Sequence, residues 1–217
     1  MDRAVQIAAF IDQQFGENAY VVWCRDQGPC WIIDPGLPPS VQQIQTHVEQ
    51  HGLIPHALIL THGHLDHIAG VPPIMKAFPT LPVHMADAAR IALTDPNENL
   101  SAGYGLPIVV GSLDTIDLAP GAELVLDESR WTVLETSGHS PGGRSLHCRE
   151  AGMVIVGDAL FQGSIGRTDF HHSDHAAFIR NIKANLLSLP GETIVYSGHG
   201  PTTTIRVEKA SNPFLQE

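Results

Sequence analysis

The sequence predicts an α/β protein, and three observations carry that prediction. Short apolar runs such as Ala57-Leu58-Ile59-Leu60, each ended by polar or glycine-rich turns, read as buried strands. Ser40–His51 places Val41, Ile44 and Val48 on one stripe at spacings of three and four, the pattern of an amphipathic helix. Strands and helices come in two successive runs, each with its own turn motifs. Two runs predict two sheets packed face to face with helices outside, a four-layer αββα sandwich. No linker splits the chain, so residues 1–217 are read as one domain.

The first strand is predicted at Val5–Phe10, followed by a hairpin of Tyr20–Cys24 and Cys30–Asp34 that Asp34-Pro35-Gly36 stops. Ser40 is the expected N-cap of the first helix. Ile68–Ala77 is expected to be helical, with Pro72-Pro73 near its first turn, where proline is tolerated. Thr94–Ser112, rich in Gly, Pro and Asn, has no period and reads as a long surface loop of the kind that serves as a lid or mobile segment. Further strands are predicted at Ala122–Leu126, Trp131–Glu135, Arg144–Cys148 and Met153–Val156. Ser173-Asp174 then caps a helix over His175–Leu187, and Thr193–Tyr196 is the last strand.

Composition excludes several functions. A formal net charge of −11 repels nucleic acid and anionic membranes. No apolar stretch approaches the ~20 residues that span a bilayer. Met1-Asp2-Arg3-Ala4 lacks the basic-then-apolar pattern of a secretory leader, so a cytoplasmic protein is expected. Cys24, Cys30 and Cys148 lack metal spacing. Cys24 and Cys30 flank a turn and could face each other across a hairpin, but free thiols in a reducing cytoplasm are the favoured reading.

The chemistry begins at Thr61-His62-Gly63-His64-Leu65-Asp66-His67. His62, His64, Asp66 and His67 are metal ligands by type, at the end of a buried strand, where α/β proteins place their sites. An apolar core would leave their polar nitrogens unsatisfied, so packing does not explain the cluster. Three more segments place a ligand-type residue in a glycine-rich turn after a strand: Gly138-His139-Ser140-Pro141-Gly142, Val156-Gly157-Asp158 and Ser197-Gly198-His199-Gly200. The first also matches the G-x-S-x-G pattern, with Asp158 and His199 following in serine-hydrolase order. That reading fails because the residue after the serine must donate an N–H to the oxyanion, and Pro141 has none.

These motifs resemble the metallo-β-lactamase superfamily, most closely its glyoxalase II-like branch of small hydrolases. The resemblance runs from Asp34-Pro35-Gly36 through the His62–His67 loop to Gly198-His199-Gly200 and the tail Asn212-Pro213-Phe214-Leu215. Gly157-Asp158-Ala159-Leu160-Phe161 and Gly163–Phe170 carry the likeness to the branch. It implies the αββα sandwich and a site for two divalent metals, zinc foremost, with iron or manganese as alternatives. His62, His64 and His139 would bind the first metal and Asp66, His67 and His199 the second, with Asp158 bridging. Asp34 matches a buried Asp that orients the ligands. The implied reaction is attack of a metal-bridging hydroxide on a thioester of the S-2-hydroxyacylglutathione type, with Asp66 or Asp158 holding the proton. The implied partner is therefore a small-molecule glutathione conjugate.

Two departures stand out. Full-length glyoxalase II enzymes carry a C-terminal helical extension with basic residues for glutathione, and here only Arg206 and Lys209 lie nearby. Related chains usually have Pro and Gly where His171 and His172 fall, and the segment His171-His172-Ser173-Asp174-His175 reads first as a surface helix cap, second as a metal or substrate contact. The competing activity is an iron-dependent persulfide dioxygenase using His62, His139 and Asp158, against which stands Gly200 where that branch tends to carry Asp. Lactonase activity shares the same ligand set. Arg167 is expected to form a salt bridge with Asp169 or a buried carboxylate, and Tyr104 is a candidate substrate contact. His47, His51 and His56 are expected to be solvated, and His84 structural.

Overall fold

In the computed structural model, residues 5–216 are described. The Met1–Ala4 stretch read for a leader lies outside them. The strands are β1 (Gln6–Ile11), β2 (Asn18–Trp23), β3 (Pro29–Ile33), β4 (Ile54–Ile59), β5 (Val83–Met85) and β6 (Thr115–Asp117), then β7 (Glu123–Leu126), β8 (Ser129–Glu135), β9 (Arg144–Cys148), β10 (Met153–Gly157), β11 (Ile194–Ser197) and β12 (Thr203–Thr204). The α-helices are α1 (Pro38–Gln50), α2 (Leu65–Ile68), α3 (Val71–Ala77), α4 (His175–Asn181) and α5 (Ile205–Ser211). The strands form two six-stranded sheets, ordered β1-β2-β3-β4-β5-β6 and β12-β11-β10-β9-β8-β7. The first is antiparallel from β1 to β3 and parallel from β3 to β6.

Alternation along the strands builds the layers. Val21, Trp23, Ile32, Leu58 and Leu60 face outward onto Val41, Ile44 and Val48 of α1 and Ile74 of α3. Their neighbours Tyr20, Val22, Trp31, Ile33 and Ile59 face inward onto Trp131, Val133, Leu146 and Ile155 of the second sheet. The Trp31 and Trp131 rings meet there with centroids 5.7 Å apart. On the far side, Val154, Val156 and Val195 pack on Phe178, Ile182 and Ile205. Helix, sheet, sheet and helix are thus stacked in the αββα order that the sequence predicts. Burial of each aliphatic side chain on the α1 stripe contributes about 1.5–3 kcal/mol.

Several local expectations are corrected. Helix α1 starts at Pro38, with Leu37 as cap residue, and Ser40 lies buried inside it with no cap bond. Proline has φ preset for the first turn and no N–H to satisfy, so Pro38-Pro39 start the helix ahead of the serine. The helix expected over Ile68–Ala77 is two pieces, α2 and α3, broken at Ala69-Gly70. A side chain at Gly70 would collide with the Pro35 and Gly36 carbonyls, so the break lets the chain pass close to that turn. The second-run helix is α-helical to Asn181 and continues as a π-turn over Ile182–Leu186. Asp174 is its cap, accepting from the Ala177 N–H at 2.9 Å.

The middle stretch is not structureless. Short 3₁₀ helices occupy Asp87–Leu93 and Ser101–Tyr104. Asn99 is fully buried between them, its amide donating to the carbonyls of Ala92 at 2.8 Å and Ile108 at 2.9 Å. Its own carbonyl accepts from the Leu65 N–H at 2.9 Å, which ties the segment to the His62–His67 loop. His47 is also not solvated. Its half-buried ring packs edge-on against Trp23 and Phe10, at 4.9 and 5.4 Å. The three cysteines are buried and free. No helix among the described residues is long and apolar enough to cross a membrane.

Candidate metal centre

Strand β4 ends at Ile59, and the chain then turns through Thr61–His64 into α2, so His62, His64, Asp66 and His67 leave the sheet edge together. The turns after β8, β10 and β11 bring His139, Asp158 and His199 to the same edge. One ligand atom from each of His62, His64 and His139 falls within 4.8 Å of the others, and so does one from each of Asp66, His67 and His199. These are the two triads expected from the sequence. Asp158 lies between them. Its Oδ1 is 3.3 Å from His67 Nε2, and its Oδ2 is 3.5 Å from His139 Nε2 and 3.6 Å from His199 Nε2. Asp66 Oδ2 is 3.2 Å from His199 Nε2.

Outer groups set which nitrogen of each ring faces the centre. Asp34, at φ 45°, is held in the left-handed region after β3. Its carboxylate accepts from Thr61 N at 2.8 Å, Thr61 Oγ1 at 2.6 Å and His67 Nδ1 at 3.0 Å. His139 Nδ1 donates to the Arg167 carbonyl at 2.6 Å, and His199 Nδ1 to the Phe15 carbonyl at 3.2 Å. Thr61 Oγ1, its proton given to Asp34, accepts from His62 Nδ1 at 3.1 Å. In its neutral, ligating form each of these four rings therefore carries its proton on Nδ1 and turns the Nε2 lone pair inward.

A metal pair fits this arrangement. His67 Nε2, His139 Nε2 and Asp158 Oδ1 are buried without a hydrogen-bond partner, and such orphans are costly unless something occupies the space they share. His62 Nε2 and His64 Nδ1 stand 3.2 Å apart. Nitrogens about 2.0–2.1 Å from a tetrahedral ion are separated by roughly 3.3–3.4 Å. The close approach also requires glycine at 198, where a Cβ would overlap Asp158 Oδ1 and the His67 ring.

The electrostatics suit cation binding. Burial, reinforced by the neighbouring imidazoles, holds His62 and His64 well below the usual histidine range, so both are neutral. Burial lowers His139 as well. For His67, burial works downward but Asp158, Asp34 and Asp66 outweigh it, and its pKa rises well above the usual value. His199 rises in the same way: burial opposes the shift, and Asp66 and Asp158 outweigh it. Burial would raise Asp158, yet His67, His199 and His139 pull it below the ordinary carboxylate range.

The structure adds two features that the sequence reading passed over and favours its second reading of His172. Glu17 is completely buried with both carboxylate oxygens unpartnered, its Oε1 3.9 Å from His67 Nδ1. Burial pushes its pKa well up, and Asp34, Asp66 and Asp158 add to this against the pull of His67. Its signal in the sequence was weak, a lone acid in a polar turn. His172 is not part of a solvated cap. Its Nε2 lies 3.2 Å from His64 Nε2. The second added feature is a cavity of about 440 Å³ that opens over the centre, walled by Phe15, Tyr104, Phe161, Ile165 and Phe170. Tyr104 thus lines the cavity, packed edge-on against Phe15 at 5.3 Å. Arg167 also borders it, with its guanidinium in a two-bond pair to Asp169 at 2.9 and 2.7 Å and 4.8 Å from the Phe170 ring centroid. Ser140 is buried with its hydroxyl unpartnered, engaging neither Asp158 nor His199.

Comparison with known proteins bears on this site. The chain matches the metallo-beta-lactamase superfamily over residues 13–199, a span containing all seven candidate ligands. It is 37% identical over 199 residues to the probable metallo-hydrolase YqgX of Bacillus subtilis, covering 91% of this chain and 92% of that one. It is 34% identical over 202 residues to the hydroxyacylglutathione hydrolase GloC of Haemophilus influenzae, covering 93% of each. Among solved structures it is similar to the BLEG-1 B3 metallo-beta-lactamase, with a TM-score of 0.90 and 36% identity over 98% of this chain and all (100%) of that one. It also resembles TTHA1623 in a di-iron-bound form, with a TM-score of 0.83 and 36% identity over 96% and 100% of the two chains. The fold, the paired ligand triads and these matches agree: the chain belongs to the metallo-beta-lactamase superfamily of metal-dependent hydrolases.

Proposed function

We propose that this protein hydrolyses a thioester of the S-2-hydroxyacylglutathione type at a two-metal centre. The observation that carries the reading is Asp158, whose carboxylate spans the two ligand triads beneath an aromatic cavity. His62, His64 and His139 would hold one ion and Asp66, His67 and His199 the other, with Asp158 shared. When bound, such a pair supplies an acidified water and a Lewis acid for the carbonyl. Zinc is the first choice for this donor set, and the same nitrogens and carboxylates suit iron or manganese. The di-iron form of TTHA1623 supports keeping iron in view.

The chain's own residues do the rest. Asp34 and Thr61 fix the directions of His67 and His62. Asp158 is kept anionic by three imidazoles, and Asp66 or Asp158 would accept the proton of the attacking water. Phe15, Tyr104, Phe161 and Phe170 exclude water and hold the acyl group. A thiolate leaves readily, which makes a thioester a fitting substrate.

The carrier thiol has less to hold it. Arg206 is paired with Glu192, and Lys209 donates to the Leu187 carbonyl. Arg167 is already committed to Asp169. The KM for a glutathione thioester should therefore lie near the upper end of the ordinary range, about 1 mM. GloC, a hydroxyacylglutathione hydrolase, supports this substrate class, and BLEG-1, a B3 metallo-beta-lactamase, supports testing a β-lactam beside it. The test offers metal-loaded protein S-D-lactoylglutathione, a β-lactam and a lactone, and follows oxygen uptake with glutathione persulfide. Preference for the thioester, with kcat/KM above ~10⁴ M⁻¹s⁻¹, is the expected result. Preference for the lactam or lactone, or oxygen consumption with the persulfide, would replace the reading.

A further inference from the structure

A third set of metal-type ligands lies beside the centre and outside both triads. Glu98, ahead of the Ser101–Tyr104 turn, meets His171 and His172 from the segment before α4, with one ligand atom from each within 4.8 Å of the others. His171 Nε2 is 3.3 Å from Glu98 Oε1, and His172 Nδ1 is 3.7 Å from Glu98 Oε2. The second contact is too long for a hydrogen bond. The His172 side chain is only 7% exposed, and its Nδ1 is buried without a partner while aimed at this carboxylate. A buried orphan nitrogen that faces a carboxylate, with a second, exposed imidazole on the same carboxylate, calls for an occupant. The two imidazole-to-carboxylate separations, 3.3 and 3.7 Å, lie at and a little above the roughly 3.3–3.4 Å that ligands of a tetrahedral zinc keep.

We infer that Glu98, His171 and His172 form an additional zinc-type site, two imidazoles and one carboxylate with the fourth position open to water. The remaining acidic and histidine groups of this segment do not join it: His175 is engaged with Thr168 Oγ1 at 2.9 Å, and Asp174 caps α4. The site communicates with the centre through His172, whose Nε2 faces His64 Nε2 at 3.2 Å. With the additional site empty, His172 keeps its proton on Nδ1 and accepts from the N–H of His64. A zinc on Nδ1 moves that proton to Nε2, where it meets the N–H of His64 head on. Filling the additional site therefore disfavours His64 in its ligating tautomer, and excess zinc becomes inhibitory. This coupling rests on the proposed hydrolase reading and on ligation by His64 through Nδ1. The additional site itself does not.

The test compares the wild-type protein with Glu98→Gln and His171→Ala, both at solvent-accessible positions, so that folding is retained. Each is titrated with zinc by calorimetry, and bound zinc per chain is counted by elemental analysis. The wild type is expected to hold one zinc more than either variant, in a step with a Kd tighter than about 10 μM. Equal zinc counts in all three proteins, or a weaker extra step, would overturn the site, whether or not any substrate is hydrolysed. Excess zinc is expected to slow hydrolysis by the wild type and to spare His171→Ala. Equal slowing of both would overturn the coupling.

Discussion

His67 is fully buried with Asp34 on one nitrogen, Asp158 on the other and Glu17 behind. Removing one carboxylate from such a place is expected to weaken metal binding before it disturbs the fold. Asp158→Ala is expected to lower occupancy at the seven-ligand centre to one metal or none, counted by elemental analysis at matched protein concentration. Retention of both metals there would remove the bridging role. Ser140→Ala is expected to be nearly neutral in kcat/KM, because its hydroxyl touches neither Asp158 nor His199. A loss of ~10³-fold or more, the scale of a lost nucleophile, would restore the serine-hydrolase reading. The seven candidate ligands were legible in the sequence because His62, His139, Asp158 and His199 lie in glycine turns after apolar strands and His64, Asp66 and His67 follow His62 at once, a pattern that packing does not produce. Glu17 was not, since a single acid in a turn looks solvated until the fold closes over it. Nor was the His172 contact with His64, which depends on how a distant loop is laid down.

At the scale of elements, the two middle turns depend on Asn99. Asn99→Ala leaves the carbonyls of Ala92 and Ile108 without their donor in a buried setting. The expected cost is about 2–3 kcal/mol in urea unfolding, with faster proteolysis between residues 94 and 110. No change in either would mean that the segment is held by something else. Ser40→Ala, in contrast, is expected to shift stability by less than about 0.5 kcal/mol, because Ser40 is not the cap of α1. A loss of ~1 kcal/mol is what a true N-cap would give. The long strands and α1 were readable from their periods. Strand β6 and α5 were not, for physical reasons. Thr115–Asp117 is a three-residue edge strand within a glycine- and proline-rich stretch, and α5 buries only Ile205 and Glu208, too few positions to make a stripe. The N-cap error came from weighing serine's oxygen above proline's preset φ.

For the whole molecule, two sheets with both faces covered supply the core, and the candidate metal centre sits at their shared edge, where turns from both sheets converge. The α/β class followed from two runs of strands and helices, while the αββα sandwich became firmly legible only through the family resemblance. Because the centre gathers buried orphans from both sheets, metal should bind the folded chain far better than the unfolded one. A metal at ~100-fold its Kd stabilises by about 2.7 kcal/mol, so chelation is expected to lower Tm by roughly 5–10 °C. An unchanged Tm after complete metal removal would mean that the ligands are held by the fold alone. The measurement that reaches the central claim most directly is thioester turnover followed against metal bound per chain, as metal-free protein is reconstituted in steps. The expected curve stays low through the first equivalent bound at the centre and reaches its maximum when the second is filled. Full activity at one metal per chain would contradict a catalytic pair bridged by Asp158.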